Sequence, residues 1–408
     1  MNVKVERVAE NGPPYLEMTY RDPAGRFEGT AVIDSLYEGC AAGGVRVTPT
    51  VTASEVAQLA RGMTFKMRVM DLSAGGVKYG LRWSGDTGID KVSALSSFFE
   101  AVGPVCERCA GFGPDMNTTP EELDAVAERI GLSSRHIALV RGRDDGQSRL
   151  AEYHACLERS SGPLRLLETR TGAGVASAAA AAAEALGLEE RLRIGVYGFG
   201  QVGTGTAWTL HRMGHAVTAI ADLSGSFVGR PGIDIPALLE RRRPGDTIEE
   251  LASVAPELGL ERVGGPTEML GRDFDVLVLA GNSFAVTPDN VGRVAAELVV
   301  EGGNLAVTPA AERALFERNI RVVPDFVASA GAIALVVGVI RMGWSGEPDS
   351  VLERIGTRIA RATRACFRAS VEQGVLPRVA VSRELGIPLG VERGEAGGLP
   401  GDAGADKV

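Results

Sequence analysis

The chain has 408 residues, of which 45% are hydrophobic and 23% are charged, a composition typical of globular domains and unlike collagen, coiled coils or disordered chains. At roughly 100–200 residues per domain, this length predicts two or three domains. The formal net charge is −9, and the one dense basic run is Arg241-Arg242-Arg243. Nucleic acid is therefore not expected as a partner.

The first ten residues, MNVKVERVAE, carry charges where a secretory signal needs an apolar run, which predicts a cytoplasmic protein. The longest uncharged apolar stretch, residues 326–340, is shorter than the roughly 20 residues of a membrane-spanning helix, so no membrane partner is expected. Of the five cysteines, Cys106 and Cys109 form a single CxxC without a second one. We interpret them as packing residues and predict no metal site.

The first part of the chain mixes short strands with helices. Residues 1 to about 50 read as a sheet, with a strand near 27–33 and a turn at Gly43-Gly44. Helical spacing begins at Ser54, interpreted as the N-cap, and places Lys66 near the end of that helix. Lys78 follows a predicted glycine turn over 73–76. A helix near 91–102 and a capped helix starting at Thr119 complete this part.

From about residue 168 the pattern changes to strands that alternate with helices, beginning with an alanine-rich helix over 176–186. Such alternation predicts a parallel sheet covered by helices. The predicted strands span 192–197, 216–221, 276–280, 298–301 and 321–323. A small-residue helix over 329–340 and an amphipathic helix over 350–373 follow, and the last residues, which contain GEAGGLPGDAGA, are predicted to be disordered.

A glycine motif lies between the strand that ends at Tyr197 and a helix predicted from Thr204. Its letters are GFGQVG, which places Gly198, Gly200, Gln201, Val202 and Gly203 in a dinucleotide-binding turn. In such a turn the first glycine permits the bend, the second lets the pyrophosphate approach the backbone, and the third lets helix and strand pack closely.

A carboxylate follows the motif at the end of the next predicted strand. Asp222 lies 19 residues after Gly203, where a carboxylate can bind the adenosine ribose. Asp222 would repel a 2′-phosphate, so NAD is predicted as the preferred cofactor, with NADP as the alternative.

Two lysines twelve residues apart, Lys66 and Lys78, have mainly apolar and glycine neighbours. Each taken alone fits a surface lysine whose stem packs on apolar groups. Held together in a cleft, they would lower each other's pKa, so that one could act as a base while the other binds a carboxylate. Asp115, shortly before the capped helix, is either an acid–base residue or a loop cap.

Six short motifs, in order and with similar spacing, resemble the Glu/Leu/Phe/Val dehydrogenases. They are Gly43-Gly44-Val45-Arg46, Met63-Thr64-Phe65-Lys66, Gly75-Gly76-Val77-Lys78, Pro114-Asp115-Met116-Asn117-Thr118, Thr171-Gly172-Ala173-Gly174-Val175 and the GFGQVG turn.

The resemblance implies an amino-acid site between a first, oligomer-forming domain and a Rossmann domain. Lys66 would bind the substrate α-carboxylate, and Lys78 would activate water for attack on the iminium formed after hydride leaves Cα. Asp115 would carry protons to and from the amino group. Thr171 and Asn304 would lie at the nicotinamide, although Asn304 also fits an ordinary loop residue.

Other positions depart from the resemblance. The family motif Asn-Ala-Gly-Gly is here Ser329-Ala330-Gly331-Ala332, and serine has a shorter reach toward the nicotinamide or the substrate than asparagine. Tyr79 stands where small residues are usual, which suggests an unusual pocket.

The side-chain pocket also departs from the glutamate-specific relatives. Beside Gly43 and Gly44, their lysine for the substrate γ-carboxylate is replaced by Ala42, and their serine is replaced by Val336. An apolar substrate side chain is therefore expected.

The sequence thus predicts an α/β protein in which residues 1–165 form a substrate and oligomerisation domain with an open sheet and 166–340 form a Rossmann domain. Helices over 341–385 would return to the first domain, before a tail over 386–408. The predicted reaction is reversible oxidative deamination of an apolar L-amino acid to a 2-oxo acid and ammonia by a homo-oligomer. The alternatives are a glutamate dehydrogenase, a secondary-metabolism dehydrogenase for an imine or unusual amino acid, and a non-catalytic dinucleotide sensor.

Overall fold

A computed structural model describes residues 3–6, 14–188, 190–241 and 251–389. Arg242 and Arg243 of the basic run lie outside the described residues, as do residues 390–408 of the predicted disordered tail. The first residues of this predicted tail are ordered instead, because the Pro388 carbonyl accepts a 2.6 Å hydrogen bond from Arg61 Nη1.

The first part of the chain forms a six-stranded sheet. Its strands are β1 (Val3–Glu6), β2 (Leu16–Arg21), β3 (Glu28–Ile33), β4 (Ala41–Thr48), β5 (Gly75–Arg82) and β6 (Ala110–Pro114). Their order in the sheet is β1-β2-β3-β5-β4-β6. The strands β5, β4 and β6 are parallel, whereas β3 pairs with β5 in the antiparallel sense. The parallel strands lie side by side at one end of the sheet.

The helices of this part are α1 (Ala53–Val69), α2 (Lys91–Arg108), α3 (Pro120–Arg129), α4 (Ile137–Val140) and α5 (Gly146–Glu158). The first four pack on the sheet, whereas α5 packs on α4 and on helices of the second part. The predicted cap of α1 was wrong, because the side chain of Thr52, not Ser54, accepts from the Glu55 amide. The predicted cap of α3 is confirmed, since Thr119 and Glu122 form a reciprocal capping box. Helix α1 buries the predicted apolar stripe, with Met63 8% exposed and Met67 inaccessible.

The second part is a seven-stranded sheet covered by helices. A two-stranded ribbon, β7 (Ser160–Ser161) and β8 (Leu164–Arg165), leads into α6 (Leu166–Leu186). The sheet strands are β9 (Arg193–Tyr197), β10 (Ala216–Asp222), β11 (Gly225–Val228), β12 (Glu261–Gly264), β13 (Val276–Leu279), β14 (Leu298–Glu301) and β15 (Arg321–Val323). Their order is β12-β11-β10-β9-β13-β14-β15. The strands from β10 to β15 in that order are parallel, and β11 and β12 add an antiparallel edge.

The remaining helices are α7 (Gln201–Arg212), α8 (Ile235–Glu240), α9 (Leu251–Val254), α10 (Pro309–Glu317), α11 (Asp325–Ala328), α12 (Gly331–Ile340), α13 (Pro348–Gln373) and α14 (Pro377–Leu385). Helix α13 packs along α6. It also reaches the first part of the chain, where Arg358 donates a 2.7 Å hydrogen bond to the Met70 carbonyl. The parallel sheet of the second part and the separate sheet of the first confirm the predicted two-domain α/β fold. Within the described ranges, no helix is long and apolar enough to cross a membrane.

Candidate active site

One face of the first sheet carries the chemistry that the sequence predicted. Side chains alternate between the two faces of a strand, so Ala42, Gly44 and Arg46 of β4 share a face. Lys78 of β5 lies beside them, because a side chain built on Gly44 would have its Cβ 3.2 Å from Lys78 Nζ. The structure corrects the predicted turns at Gly43-Gly44 and at 73–76, since Gly43, Gly44, Gly75 and Gly76 all lie within strands.

Gly43 and Gly44 are required by the lack of space for a side chain, not by a bend of the backbone. A Cβ on Gly43 would be 1.6 Å from the Val77 carbonyl oxygen, and one on Gly44 would be 2.9 Å from the Asp115 Cβ. Neither Gly43 nor Gly44 has a positive φ. These two positions therefore require glycine to make room for neighbouring backbone and site side chains.

Asp115 follows β6 and joins the two strands electrostatically. Its Oδ2 lies 3.0 Å from Lys78 Nζ and 3.0 Å from Arg46 Nε. Arg46 is held in turn by Glu55, at 2.6 Å. Burial alone would raise the pKa of Asp115, but the charges and hydrogen bonds of Lys78 and Arg46 outweigh it and hold the pKa well below its usual range. Asp115 is therefore an ionised carboxylate beside the buried amino group of Lys78.

Lys66 reaches the second domain from the last turn of α1. Its Nζ donates hydrogen bonds of 2.9 Å to Asn304 Oδ1 and of 2.9 Å to Ser329 Oγ. Burial lowers the pKa of Lys66 to about 8, although the charge of Asp325 opposes this shift. Asn304 also donates from Nδ2 to Asp115 Oδ1 at 3.3 Å. One hydrogen-bonded network therefore joins Lys66, Asp115 and the loops of the second domain.

Two departures from the family pattern have different outcomes. Ser329 does reach the site despite its short side chain, because Oγ accepts from Lys66 and donates to the Asp325 carbonyl at 2.8 Å. Tyr79 does not line the site, and the predicted effect on the pocket was wrong. It points to the opposite face of β5, where its hydroxyl donates to the Ala110 carbonyl at 2.9 Å and its ring packs on Phe99.

A cavity of about 390 Å³ opens beside this network. Lys66, Lys78 and Asn304 line it, and Met63 and Phe326 form part of its mainly apolar wall. Because two lysines line the same small cavity, it is suited to a small molecule that carries an anionic group.

Ala42 and Val336 are not among the residues that line that cavity. Ala42 is 3% exposed and Val336 is 8% exposed, and both belong to the same apolar cluster as the cavity residue Met63. Ala42 is on the Gly44 face of β4, and α12 supplies Val336. Neither side chain carries a charge or a hydrogen-bonding group, so these two positions offer no polar partner to a substrate.

The glycine turn of the second domain has the geometry that a dinucleotide requires. Gly198 has a φ of +95°, which favours glycine, and a Cβ on Gly203 would be 1.9 Å from the Gly198 carbonyl oxygen. Gly200 has open space where its Cβ would be and precedes α7, whose amides are free at the helix start. Helix α7 begins at Gln201 rather than at the predicted Thr204. A pyrophosphate would therefore fit against Gly200, Gln201 and Val202.

Asp222 ends β10 next to this turn, since Gly198 donates to the Ala221 carbonyl at 2.9 Å. Its carboxylate accepts from the Ser224 amide at 2.8 Å and from the Leu251 amide at 2.7 Å. Arg262 of β12 also lies close to Asp222, because it donates a 2.9 Å hydrogen bond to the carbonyl of Ser224, two residues after Asp222. The sequence did not identify Arg262. No local signal links Arg262 to Asp222, because the two are brought together only by the antiparallel edge of the sheet.

Thr171 lies near the start of α6, close to the loop that carries Ser329. A Cβ on Gly331 would be 3.0 Å from the Thr171 Cα. The structure thus brings Thr171 and Ser329 to the same side of the second sheet. Glu301, Asp325 and Arg378 form a buried network behind this loop that sequence patterns did not reveal.

Comparisons with known proteins identify the family of this chain. The family model described as Glutamate/Leucine/Phenylalanine/Valine dehydrogenase matches residues 164–384, and its dimerisation-domain model matches residues 16–131. The NADP(+)-dependent glutamate dehydrogenase of Pyrobaculum calidifontis is 33% identical over 320 residues, which cover 76% of this chain and 71% of that protein.

Two solved structures are also similar. The hetero-hexameric glutamate dehydrogenase of Thermus thermophilus, in a leucine-bound form, has a TM-score of 0.68 at 27% identity and covers 90% of this chain and 86% of that one. L-tryptophan dehydrogenase from Nostoc punctiforme has a TM-score of 0.59, with coverage of 90% and 93%. At 18% identity, the second similarity shows a common fold alone.

Proposed function

We propose that this chain, which belongs to the Glu/Leu/Phe/Val dehydrogenase family, acts on an L-amino acid with an apolar side chain. The chain is an NAD(P)-dependent amino-acid dehydrogenase. The products of oxidative deamination are the 2-oxo acid and ammonia. The observation that carries the proposal is that buried apolar side chains, Ala42 and Val336, stand at the two positions that correspond to the polar groups of glutamate-specific relatives.

Lys66 binds the substrate α-carboxylate in this proposal. A carboxylate in the 390 Å³ cavity would pair with Nζ and raise the pKa of Lys66 from about 8, because an opposite charge favours the protonated amine. The hydrogen bonds to Asn304 and Ser329 already orient the ammonium. Binding of the substrate is thus linked to contact between the two domains.

Lys78 and Asp115 carry protons. The Asp115 carboxylate, 3.0 Å from Lys78 Nζ, accepts a proton from the substrate ammonium and returns it to the leaving ammonia. Lys78 accepts the proton from the water that attacks Cα. Their contact lets a proton pass directly between them, which is the arrangement that general acid–base catalysis needs.

The nicotinamide dinucleotide, when bound, supplies the acceptor for the hydride of Cα. Gly198, Gly200, Gln201, Val202 and Gly203 would hold its pyrophosphate, and the geometry of these glycines supports that role. At the two ends, Asp222 would bind the adenosine ribose, and Thr171 and Asn304 would contact the nicotinamide. Asp222 also favours NAD over NADP, because its charge repels a 2′-phosphate.

The apolar preference follows from desolvation. A substrate carboxylate placed among apolar groups without a partner loses several kcal/mol, whereas each buried CH₂ group contributes about 0.8 kcal/mol. Arg46 does not offset this loss, because Asp115 and Glu55 already engage its guanidinium. Leucine, valine or phenylalanine is therefore preferred over glutamate.

Glutamate is the second candidate substrate, since a 33% identical relative is a glutamate dehydrogenase. The test compares kcat/KM for leucine, valine, phenylalanine and glutamate. We expect an apolar amino acid to give the highest value. A higher value for glutamate would overturn the proposal.

Substitution of both pocket positions provides a second test. Ala42→Lys with Val336→Ser should move the preference toward glutamate by roughly 100-fold, the equivalent of about 3 kcal/mol for a newly paired buried charge. The matched control, Ala24→Lys with Val371→Ser, makes the same changes at two exposed positions and should leave the preference unchanged.

The same proposal includes self-association through the first domain, residues 1–165. Support comes from the match of residues 16–131 to a dimerisation-domain model. Light scattering coupled to gel filtration should show a mass that is a multiple of 42.7 kDa, and a monomer at micromolar concentration would contradict it.

A further inference from the structure

Glu301 occupies a junction between three segments behind the site. It ends β14 and is fully buried. Its Oε1 accepts from the Val307 amide at 2.8 Å, and its Oε2 accepts from the Asp325 amide at 3.1 Å. The loop between Glu301 and Val307 carries Asn304. A single carboxylate therefore fixes the far end of the Asn304 loop and the first residue of α11.

Helix α11 transmits this constraint to the second acceptor of Lys66. The Asp325 carbonyl accepts from the Ser329 amide at 2.9 Å and from Ser329 Oγ at 2.8 Å. The Asp325 side chain also accepts from the Leu305 amide at 3.4 Å. The positions of Asn304 and Ser329 thus both depend on the Glu301–Asp325 junction.

Arg378 connects the junction to the C-terminal helix α14. Its Nη2 lies 2.6 Å from Glu301 Oε2, its Nε lies 2.9 Å from Glu312 Oε2, and its Nη1 lies 3.5 Å from Asp325 Oδ1. Its guanidinium also lies 5.4 Å from the centroid of the Phe326 ring. This one guanidinium faces three buried carboxylates, so its removal would leave them without this cation.

The pKa of Glu301 reflects the same arrangement. Burial raises it to about 8, Arg378 opposes this shift, and the charges of Asp325 and Glu312 add to it. The Val307 amide, the Asp325 amide and Arg378 Nη2 all donate N–H groups to the Glu301 carboxylate. These donors favour the ionised carboxylate and therefore oppose the effect of burial.

We infer that Glu301 and Arg378 are positioning residues, which hold Asn304 and Ser329 where they accept from the Lys66 ammonium. Neither residue touches the substrate in this inference. Through them, the C-terminal helix controls how well the second domain completes the carboxylate-binding end of the site. The inference rests on the proposed role of Lys66.

The first test is Glu301→Gln. Glutamine has nearly the same size but one acceptor oxygen instead of two, so either the Val307 amide or the Asp325 amide loses its acceptor. We expect KM for the best amino acid to rise roughly 10- to 100-fold, since small misplacement of a binding group has effects of this size. The value of kcat and the dissociation constant for NADH should change less than KM, because Lys78 and the glycine turn at 198–203 are not altered.

Arg378→Lys is the second variant and carries the test if Glu301→Gln does not fold. Lysine keeps the charge but cannot reach Glu301, Glu312 and Asp325 together, so an intermediate rise in KM is expected. The matched control is Glu184→Gln, which removes an exposed ion pair of 2.6 Å between α6 and Arg364 of α13. It should leave KM unchanged.

A merely structural role would give a different result. KM within about twofold of wild type in folded variants would overturn the inference, as would equal losses of amino-acid and NADH affinity, which indicate general loosening of the second domain. Hydrogen–deuterium exchange should be faster at residues 302–307 and 325–329 but unchanged at α7. If Lys66→Met does not raise KM, the proposed role of Lys66 fails. If Lys66→Met raises KM while Glu301→Gln does not, only the positioning inference fails.

Discussion

Replacement of Lys66 by methionine should raise the stability of the protein at neutral pH while it abolishes tight substrate binding. Lys66 is 7% exposed, and burial lowers its pKa from 10.5 to about 8. At about 1.4 kcal/mol per pH unit, this difference corresponds to roughly 3 kcal/mol. Methionine has a similar length and no charge, so Lys66→Met removes that cost.

The pH dependence identifies the cause. Below about pH 8 the Lys66 amine is protonated in both the folded and the unfolded protein, so the full cost of burying its charge is present. Between about pH 8 and 10.5 the folded protein releases this proton while the unfolded chain retains it, and the stability of the wild type rises with pH. The stability advantage of Lys66→Met over wild type should therefore shrink by roughly 3 kcal/mol between about pH 7 and pH 11.

Urea unfolding at one protein concentration, repeated across this pH range, measures the effect. Loss of the hydrogen bonds to Asn304 and Ser329 changes the absolute difference but not its pH dependence. Lys66→Arg is the matched control, because arginine stays protonated across this pH range. The difference in free energy of unfolding between Lys66→Arg and Lys66→Met should therefore not change with pH. A difference between wild type and Lys66→Met that is flat from about pH 7 to pH 11 would refute the reasoning.

Three further substitutions test the proposed roles. Lys78→Ala should lower kcat by ~10²–10⁴-fold, the usual contribution of a positioned proton-transfer group, with NADH affinity retained; near-normal turnover would contradict its role. Asp115→Asn removes the carboxylate that Lys78 and Arg46 contact and should lower kcat over a similar range of ~10²–10⁴-fold, whereas a change confined to KM would argue against proton transfer. Asp222→Ser should raise the NADP-to-NAD ratio of kcat/KM at least about tenfold, because the carboxylate no longer repels the 2′-phosphate; an unchanged ratio would show that Asp222 does not select the cofactor.

Local patterns in the sequence identified the elements that carry the site. The Thr119 cap and the strands β9, β14 and β15 could be predicted because each depends on residues that are neighbours in the chain. Glycine pairs misled the prediction near Gly43 and Gly75. Glycine marks turns in many sequences, but here it leaves room for adjacent strands. Strand alternation would have shown that Tyr79 and Lys78 face opposite sides.

The contacts between the two domains could not be predicted in the same way. Lys66 and Asn304 are 238 residues apart, and Glu301 and Arg378 are 77 residues apart. Neither pair has a spacing that a local rule can detect, because the contact depends on how two sheets and a terminal helix pack. The family resemblance indicated roles for Lys66 and Asn304 separately, but not the hydrogen bond between them.

The face of β4 separates the two tasks of the enzyme along a single strand. Gly44 can scarcely vary, because any larger residue would approach Lys78 Nζ and the Asp115 Cβ. Ala42, two residues earlier on the same face, pairs in the sheet with Gly76 and Gly111, and its side chain has no polar atom that could bond to Lys78 or Asp115. Under the proposed function, substitution at position 42 is expected to change which amino acid is preferred while the contact between Lys78 and Asp115 stays in place. Substrate preference could then change by a single substitution in an enzyme that stays active.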